Sequence, residues 1–335
     1  MSKIEEIASK HLGKAGDGTV VKPYVTPDTV DSSLLVGIPR DLNRVDYGIN
    51  NKSFFGYDTW YAFEVSCLMQ NGMPLNFILR IEYPSDSECI VESKSFKLYL
   101  NSFNLMRING TSTEVHNTMQ KMIKLHLESV IKGPVNVELT MLGGPVRSLS
   151  GNFVISGSTF LTTQPMTSVG QAQGSQLVNL ENTLMNTQGF NILDTEFTDY
   201  TEAADLIKIN PARGNEIIHS YSLRSNCRVT NQPDWGDIYI AYDSNMSLDY
   251  VGLMKYIVSM RKKNEFHEEI CESVYVRVKA AFQKAGAELR DLVVLCNYSR
   301  RGGIDIRPIR HLCEQSSLVS SLRQYITNGY KTEKQ

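Results

Sequence analysis

The sequence predicts an α+β fold made of two copies of one unit, strand–strand–helix–helix–strand–strand. Three observations predict it. Alternating apolar runs and amphipathic helical runs follow the same order twice along the chain. Short segments match at the junction of the two helices: Tyr99-Leu-Asn-Ser102 with Tyr256-Ile-Val-Ser259, and Glu114-Val-His-Asn117 with Glu265-Phe-His-Glu268. A stretch of low charge, rich in Gly, Ser, Thr, Gln and Asn, separates the copies at about 143–195.

Each element follows from its pattern. Residues 1 to about 50 are polar and proline-containing, and read as irregular. Asp58 to Cys67 is aromatic and β-branched, a strand. Phe77, Leu79, Ile81 and Tyr83 alternate with Ile78, Arg80 and Glu82, a second strand. Phe96, Tyr99, Leu100 and Phe103 fall on one face of a helix from about Ser95 to Met106. A longer helix spans about Thr113 to Ile131 and stops at Gly133-Pro134. Val135, Val137, Leu139 and Met141 then alternate as a half-buried strand. The central stretch reads as an insertion, with strand content near Asn152–Leu161 and a mobile run near Thr167–Gln188. The second copy has strands at about 217–229 and 236–242, helices at about 247–262 and 264–285, and strands at about 290–298 and 303–307. In its last helix Phe266, Ile270, Val274, Val278 and Phe282 step by four into an apolar stripe.

Composition narrows the function classes. Of 335 residues 41% are hydrophobic, enough for a sizeable core. With 34 basic against 36 acidic side chains, nothing suggests direct nucleic-acid binding, although a small anion needs only a local cluster. The six cysteines form no C-x-x-C and no zinc spacing, so no metal site is expected and the thiols read as reduced and cytosolic. Neither an apolar leader nor a membrane-length apolar run is visible, which points to a cytoplasmic chain.

Four segments can carry chemistry. The first runs from Ser225 to Trp235 and sets Cys227 seven residues ahead of Asp234, across a turn. A thiolate can attack an electrophilic carbon while a carboxyl group moves the proton. The plain alternative is a buried strand cysteine beside ordinary turn residues. An ordinary thiol has a pKa of about 8.5, so nucleophilic use needs stabilisation of the thiolate. Asp234 would oppose that by charge, and so fits a proton shuttle better than a thiol activator. Arg228 is adjacent, but would point to the opposite face if the strand continued.

The second segment is Asn264-Glu-Phe-His-Glu268, where Asn264 reads as a helix N-cap. Acidic residues there suit the helix dipole, and the pair His267-Glu268 can also hold an N–H-rich heterocycle. The third, Val91-Glu-Ser-Lys-Ser-Phe-Lys97, opens the first helix and puts Lys94 and Lys97 on one face, where they are either solvated or bind phosphate. The fourth, Tyr298-Ser-Arg-Arg-Gly-Gly-Ile-Asp305, sets Arg300 and Arg301 at a glycine turn between two strands.

Taken together and in this order, Glu92 to Phe103, Ser225 to Gly236, Asn264 to Glu268 and Arg300 to Asp305 closely resemble the QueF family. These are the NADPH-dependent 7-cyano-7-deazaguanine reductases of queuosine biosynthesis, here in the long, two-module form. The resemblance runs from about Ser33 to about Pro308, apart from the central insertion. It implies a tunnelling fold: two tandem ββααββ modules with antiparallel sheets and helices packed on one face. The chain would then divide into an irregular segment (1–50), a first module bearing the cofactor motif (51–160), an insertion (161–195), a catalytic module (196–310) and a tail (311–335).

The resemblance also implies the roles. Cys227 adds to the nitrile carbon as a thioimide, and Asp234 donates the proton. Val91, Glu92, Ser93, His267 and Glu268 match substrate contacts. Ser93, Lys94, Arg301 and Gly302 match NADPH contacts, and Lys97 and Arg300 are further phosphate partners. A homodimer is implied, because tunnelling modules close barrels between subunits. The first half has Asn117 where the second has Glu268, which implies one catalytic site per chain. Two departures stand out: Arg228 replaces a more usual apolar residue after the cysteine, and Ile309 stands where tryptophan often follows the last proline. Two rival readings are an amidinotransferase-like relative that uses ammonia in place of hydride, and a non-catalytic deazapurine-binding protein.

Overall fold

A computed structural model of the chain describes residues 27–142, 175–187, 192–228, 231–300 and 303–329. The elements in order are β1 (Gly37–Pro39), α1 (Asp41–Arg44), β2 (Phe55–Met69), β3 (Pro74–Pro84), β4 (Cys89–Val91), α2 (Ser93–Asn101), β5 (Arg107–Ile108), α3 (Ser112–Ile131), β6 (Asn136–Met141), β7 (Gln176–Asn179) and α4 (Leu180–Asn186). Then follow β8 (Ile209–Asn210), β9 (Gly214–Asn226), β10 (Pro233–Ser244), β11 (Ser247–Leu248), α5 (Tyr250–Ser259), α6 (His267–Lys284), β12 (Leu289–Arg300), β13 (Ile304–His311) and α7 (Ser317–Gly329). The fold is α+β, as expected.

One nine-stranded sheet carries both halves, in the order β6-β3-β2-β13-β12-β10-β9-β7, with β5 beside β2. Its pairs are antiparallel except β5 with β2 and β7 with β9. The first strand of the first half lies against the last strand of the second, with Trp60 opposite Ile306 and Gly56 opposite Arg310. Glycine is required there, because a Cβ on residue 56 would lie 2.1 Å from the Ile309 carbonyl oxygen.

The alternation of the strands sends one set of side chains under the helices. In the first half Phe77, Leu79 and Ile81 pack with Phe96 and Tyr99 of α2 and with Val115, Met119, Ile123 and Leu127 of α3. In the second, Ile238, Ile240, Val294 and Cys296 pack with Leu253 and Ile257 of α5 and with the Ile270, Val274, Val278 and Phe282 stripe of α6. On the opposite face α7 covers Tyr239, Ala241, Val293 and Leu295 with Leu318 and Leu322.

The internal repeat extends into details that the sequence matches did not reach. Ser102 donates to the Tyr99 carbonyl at 2.6 Å and accepts from Asp31 N; Ser259 donates to the Tyr256 carbonyl at 2.7 Å and accepts from Ala203 N. Short antiparallel pairs, β1 with β4 and β8 with β11, precede α2 and α5 in the two halves. Glu92 and Asp249 cap the two helices by accepting backbone N–H groups.

Several expectations need correction. The segment before residue 51 is not irregular from Ser32 onward, where it forms β1, α1 and two short 3-10 turns. The first helix ends at Asn101, several residues short of Met106, because Ser102 turns back onto the Tyr99 carbonyl. The run expected to be mobile contains β7 and α4, since Val178, Leu180 and Leu184 bury themselves against β9 and α5. The strand content expected at Asn152–Leu161 lies outside the described residues. Strand β9 ends at Asn226, so Cys227 is a loop residue rather than a strand residue. Asn264 is not the cap of α6: its backbone bridges Asn226, and the helix starts at His267 after Phe266. The caps also set Glu114 opposite Glu269 rather than Glu265, since each accepts its own N-cap N–H, at 2.7 and 2.9 Å.

Beneath the β2–β13 seam lies a buried ionic cluster. Arg40 reaches Asp58 at 2.5 Å, and Arg310 reaches Asp58 and Glu272 at 2.8 Å each. Arg44 binds Glu272 through two nitrogens, at 2.8 and 2.6 Å. Burial alone would raise both carboxyl groups, but Arg310 with its arginine neighbours overcomes it and holds both below their ordinary values. Removing one partner strands a desolvated charge. Asp58→Asn is therefore expected to cost about 3–5 kcal/mol, read as a lower denaturant midpoint at unchanged slope. A loss under about 1 kcal/mol would contradict this account of the seam.

Candidate functional site

The site forms at one end of the sheet, where the β9–β10 connection, the start of α6 and the start of α2 converge. Cys227 sits just past β9 in a closed loop: its N–H donates to Gln232 O at 2.8 Å, and Asn231 N–H donates to its carbonyl at 2.9 Å. Asn231 takes a left-handed φ of 54°, which tightens the loop. The loop is tied to the segment before α6 at three points. Asn226 N–H donates to Lys263 O at 2.8 Å, Asn264 Nδ2 donates to Asn231 Oδ1 at 2.7 Å, and Arg228 binds both oxygens of Glu269 at 2.8 and 3.0 Å. Arg228, next to the cysteine in sequence, thus anchors the cysteine loop to α6.

Asp234 lies in β10 opposite Ser225, on the helix-facing side. Its Oδ2 is 3.3 Å from His267 Nε2, and both residues are buried. The imidazole packs on the Tyr298 ring at 4.3 Å, and the Tyr298 hydroxyl meets Ser225 Oγ at 3.3 Å. A side chain on Gly236 would meet the Asn297 carbonyl at 2.8 Å and the Tyr298 ring at 3.0 Å, so glycine keeps this stack closed. No motif in the sequence marks Tyr298 for this role; its alternation with Cys296, which is also buried, is the one signal of it.

Glu268 is almost fully buried, and its Oε1 has no hydrogen-bond partner. Burial first, and then the charge of Asp58, push its carboxyl up to about 8. An unpartnered buried acceptor of this kind suits a ligand that brings N–H donors. Burial and then Glu268 also push the Tyr83 phenol up, and the same hydroxyl group faces the Val91 backbone. Tyr83, from the first half, therefore feels the charge of Glu268 in the second. Glu269, next along, is raised to about 7 by burial, while the Phe266 N–H and Arg228 pull it down.

Glu92 is committed more locally than the sequence suggested. Its Oε2 caps α2 by accepting Ser95 N–H at 2.7 Å, and Ser93 Oγ is 3.4 Å from its other oxygen. Lys94, on the same turn, points its Nζ at Cys227 Sγ, 3.5 Å away. Lys97 faces Glu64 at 3.8 Å. Glu64 also flanks the β12–β13 turn, where a Cβ on Gly303 would come within 3.0 Å of its side chain. Lys97 and Gly303 of the β12–β13 turn, distant in sequence, therefore meet at Glu64. Arg301, Gly302 and the Arg300 side chain lie outside the described residues. In the first half the positions opposite His267 and Glu268 by cap alignment are Ser112 and Thr113, and Asn117 is exposed. No carboxylate stands there, in keeping with a single site. No group of three or more metal-ligating side chains is found among the described residues.

The Glu268 carboxyl has a stability signature. Its folded pKa lies above the unfolded value, so between about pH 5 and about pH 8 the folded chain keeps a proton that the unfolded chain has lost. Stability falls as pH rises through that window. Glu268→Gln abolishes this term, so the variant should gain on the wild type by more than about 1 kcal/mol from pH 5 to pH 8 in paired denaturant melts. A variant-to-wild-type difference that is flat with pH would contradict the assignment.

Comparison with known proteins completes the description. Residues 26–139 match the family model described as nitrile reductase, 7-cyano-7-deazaguanine-reductase N-term, and residues 233–317 match that of the QueF-like protein. Relatives named NADPH-dependent 7-cyano-7-deazaguanine reductase occur in Rickettsia typhi (strain ATCC VR-144 / Wilmington) and Acidovorax ebreus (strain TPSY). The first is 35% identical over 297 residues, 88% of this chain and 93% of the relative. The second is 37% identical over 286 residues, 84% of this chain and 89% of the relative. The cysteine loop, the buried carboxylate and the basic α2 turn stand within a chain that belongs to the QueF family.

Proposed function

We propose that this protein is an NADPH-dependent nitrile reductase that converts 7-cyano-7-deazaguanine to 7-aminomethyl-7-deazaguanine, a step of queuosine biosynthesis. Both relatives carry the name of that activity. The observation that carries the reading is the contact of Lys94, from the other half of the chain, with Cys227, beside the buried pair Asp234–His267 and the unpartnered Oε1 of Glu268.

Each residue has a task that its surroundings support. Glu268, buried and short of donors, accepts N–H groups from the deazaguanine edge and becomes ionised as it does so. His267, held by Tyr298 and Asp234, borders the heterocycle. Cys227 bonds to the nitrile carbon, and the nitrogen takes a proton from Asp234 to leave a thioimide. Bound NADPH would supply the hydride for each of two reductions at the carbon that Cys227 first holds and then releases, with the nitrogen taking a second proton in the last. Between the two reductions the closed loop and the buried pair keep water from the imine. Lys94, Lys97 and the N-terminal turn of α2 fit the phosphates of the cofactor, and Arg300, Arg301 and Gly302 are assigned to the same task. Glu92 and Ser93 set the geometry of that turn, and Val91 borders the substrate.

The paired cores and repeated caps support two tandem tunnelling modules, at 51–160 and 196–310, between the segments 1–50, 161–195 and 311–335. We assign the protein to the cytoplasm as a homodimer; no helix among the described residues is long and apolar enough to cross a membrane. The amidinotransferase-like alternative has no use for the Glu92-Ser-Lys turn, which is intact here.

The test is NADPH oxidation with 7-cyano-7-deazaguanine. Turnover is expected in the wild type, and Cys227→Ala should lower it by at least about 10⁴-fold. Folded protein that consumes no NADPH in the presence of the nitrile would overturn the reductase reading. Turnover retained in Cys227→Ala would overturn the thioimide.

A further inference from the structure

We propose that Lys94 is the charge partner of the Cys227 thiolate in the free enzyme, and that this duty precedes its contact with the cofactor. The inference rests on Cys227 being the nucleophile. Three observations carry it. Lys94 Nζ stands 3.5 Å from Cys227 Sγ, a contact made across the two halves of the chain. The cation next to the cysteine in sequence is committed elsewhere, since Arg228 binds both oxygens of Glu269. The imidazole of His267 is directed at Asp234. The charged groups on the surrounding elements are Lys94 and Lys97 of α2 with its cap Glu92, Asp234 of β10, Lys263 and Glu265 before α6, His267, Glu268 and Glu269 of α6, and Arg228 of the loop itself. Three of the five carboxyl groups, Glu265, Glu268 and Glu269, are pushed toward their neutral forms by burial, which spares the sulfur their repulsion. Lys94 supplies the attraction.

The geometry resolves a conflict in the site. An ionised Asp234 near a thiol opposes its ionisation, yet nitrile addition needs the thiolate; the conflict lifts when Asp234 takes up the proton that leaves Cys227 and holds it for the nitrile nitrogen. An ammonium group at hydrogen-bond distance favours the thiolate. In the addition step the Sγ lone pair forms the S–C bond, one C–N π pair moves onto nitrogen, and that nitrogen takes the proton of the Asp234 carboxyl. The sulfur ends uncharged, so Lys94 loses its anionic partner as the thioimide forms. Lys94 is an exposed residue on the first turn of α2, and once released its ammonium group would be available to hold the cofactor phosphates. One side chain thereby orders the two events, with sulfur addition before reduction.

The test reads the thiol without substrate or cofactor. Full-length protein is alkylated with iodoacetamide across pH, and modification of the peptide carrying Cys227 is followed by mass spectrometry. In Lys94→Met the midpoint of the rate–pH profile should rise by about one unit, with alkylation near neutral pH about tenfold slower. Lys94→Arg should keep the wild-type midpoint. Circular dichroism confirms the fold of each variant, and Lys94→Gln replaces the methionine variant if that does not fold. Equal midpoints in wild type and Lys94→Met would overturn the inference. Because the readout needs neither nitrile nor NADPH, it stands apart from the turnover test: equal midpoints with intact turnover remove only the role of Lys94.

Discussion

The buried cluster of Arg40, Arg44 and Arg310 with Asp58 and Glu272 is the constraint on which the rest depends. Its members come from the segment before the sheet, from β2, from β13 and from α6, so both halves contribute. Desolvating five charged groups is costly, and it is tolerated only when each meets a well-placed partner. The cluster therefore specifies one arrangement of the β2–β13 seam and leaves little room for register shifts. It also places a carboxylate, Asp58, whose charge bears on Glu268. Structural electrostatics at the seam and the state of the site are thereby coupled.

From that seam the site follows by geometry. Joining the halves edge to edge brings the start of α2, from the first half, to the cysteine loop of the second. Lys94 then faces Cys227, Tyr83 lies near Glu268, and Glu64 sits between Lys97 and the β12–β13 turn. Duplication doubles the scaffold, and divergence leaves one site, with Ser112 and Thr113 where His267 and Glu268 would stand. Arg228, next to the cysteine in sequence, ties the loop to Glu269.

Much of this was legible in the sequence, because local periodicity governs which residues enter a core. The stripe from Ile270 to Phe282 and the alternation of Phe77, Leu79 and Ile81 are all buried as their spacing requires. Boundaries were less legible where a tertiary contact overrides a local signal. Asn264 looks like a cap but bridges Asn226, and Phe266 takes the helix entry because it packs against the core of the first half. The order in β7 and α4 was hidden, because their polar composition conceals three buried apolar side chains. The ionic cluster was invisible as well: Arg40, Asp58, Glu272 and Arg310 carry no common motif, and only the folded sheet makes them neighbours.

The central claim is that Cys227 forms a covalent bond to the nitrile before any hydride arrives. The most direct measurement is the intact mass of the protein mixed with 7-cyano-7-deazaguanine in the absence of NADPH. The account predicts a mass increase equal to one substrate per chain, located on the Cys227 peptide and absent in Cys227→Ala. An unchanged mass in protein that turns over when NADPH is added, or an adduct on another residue, would contradict it.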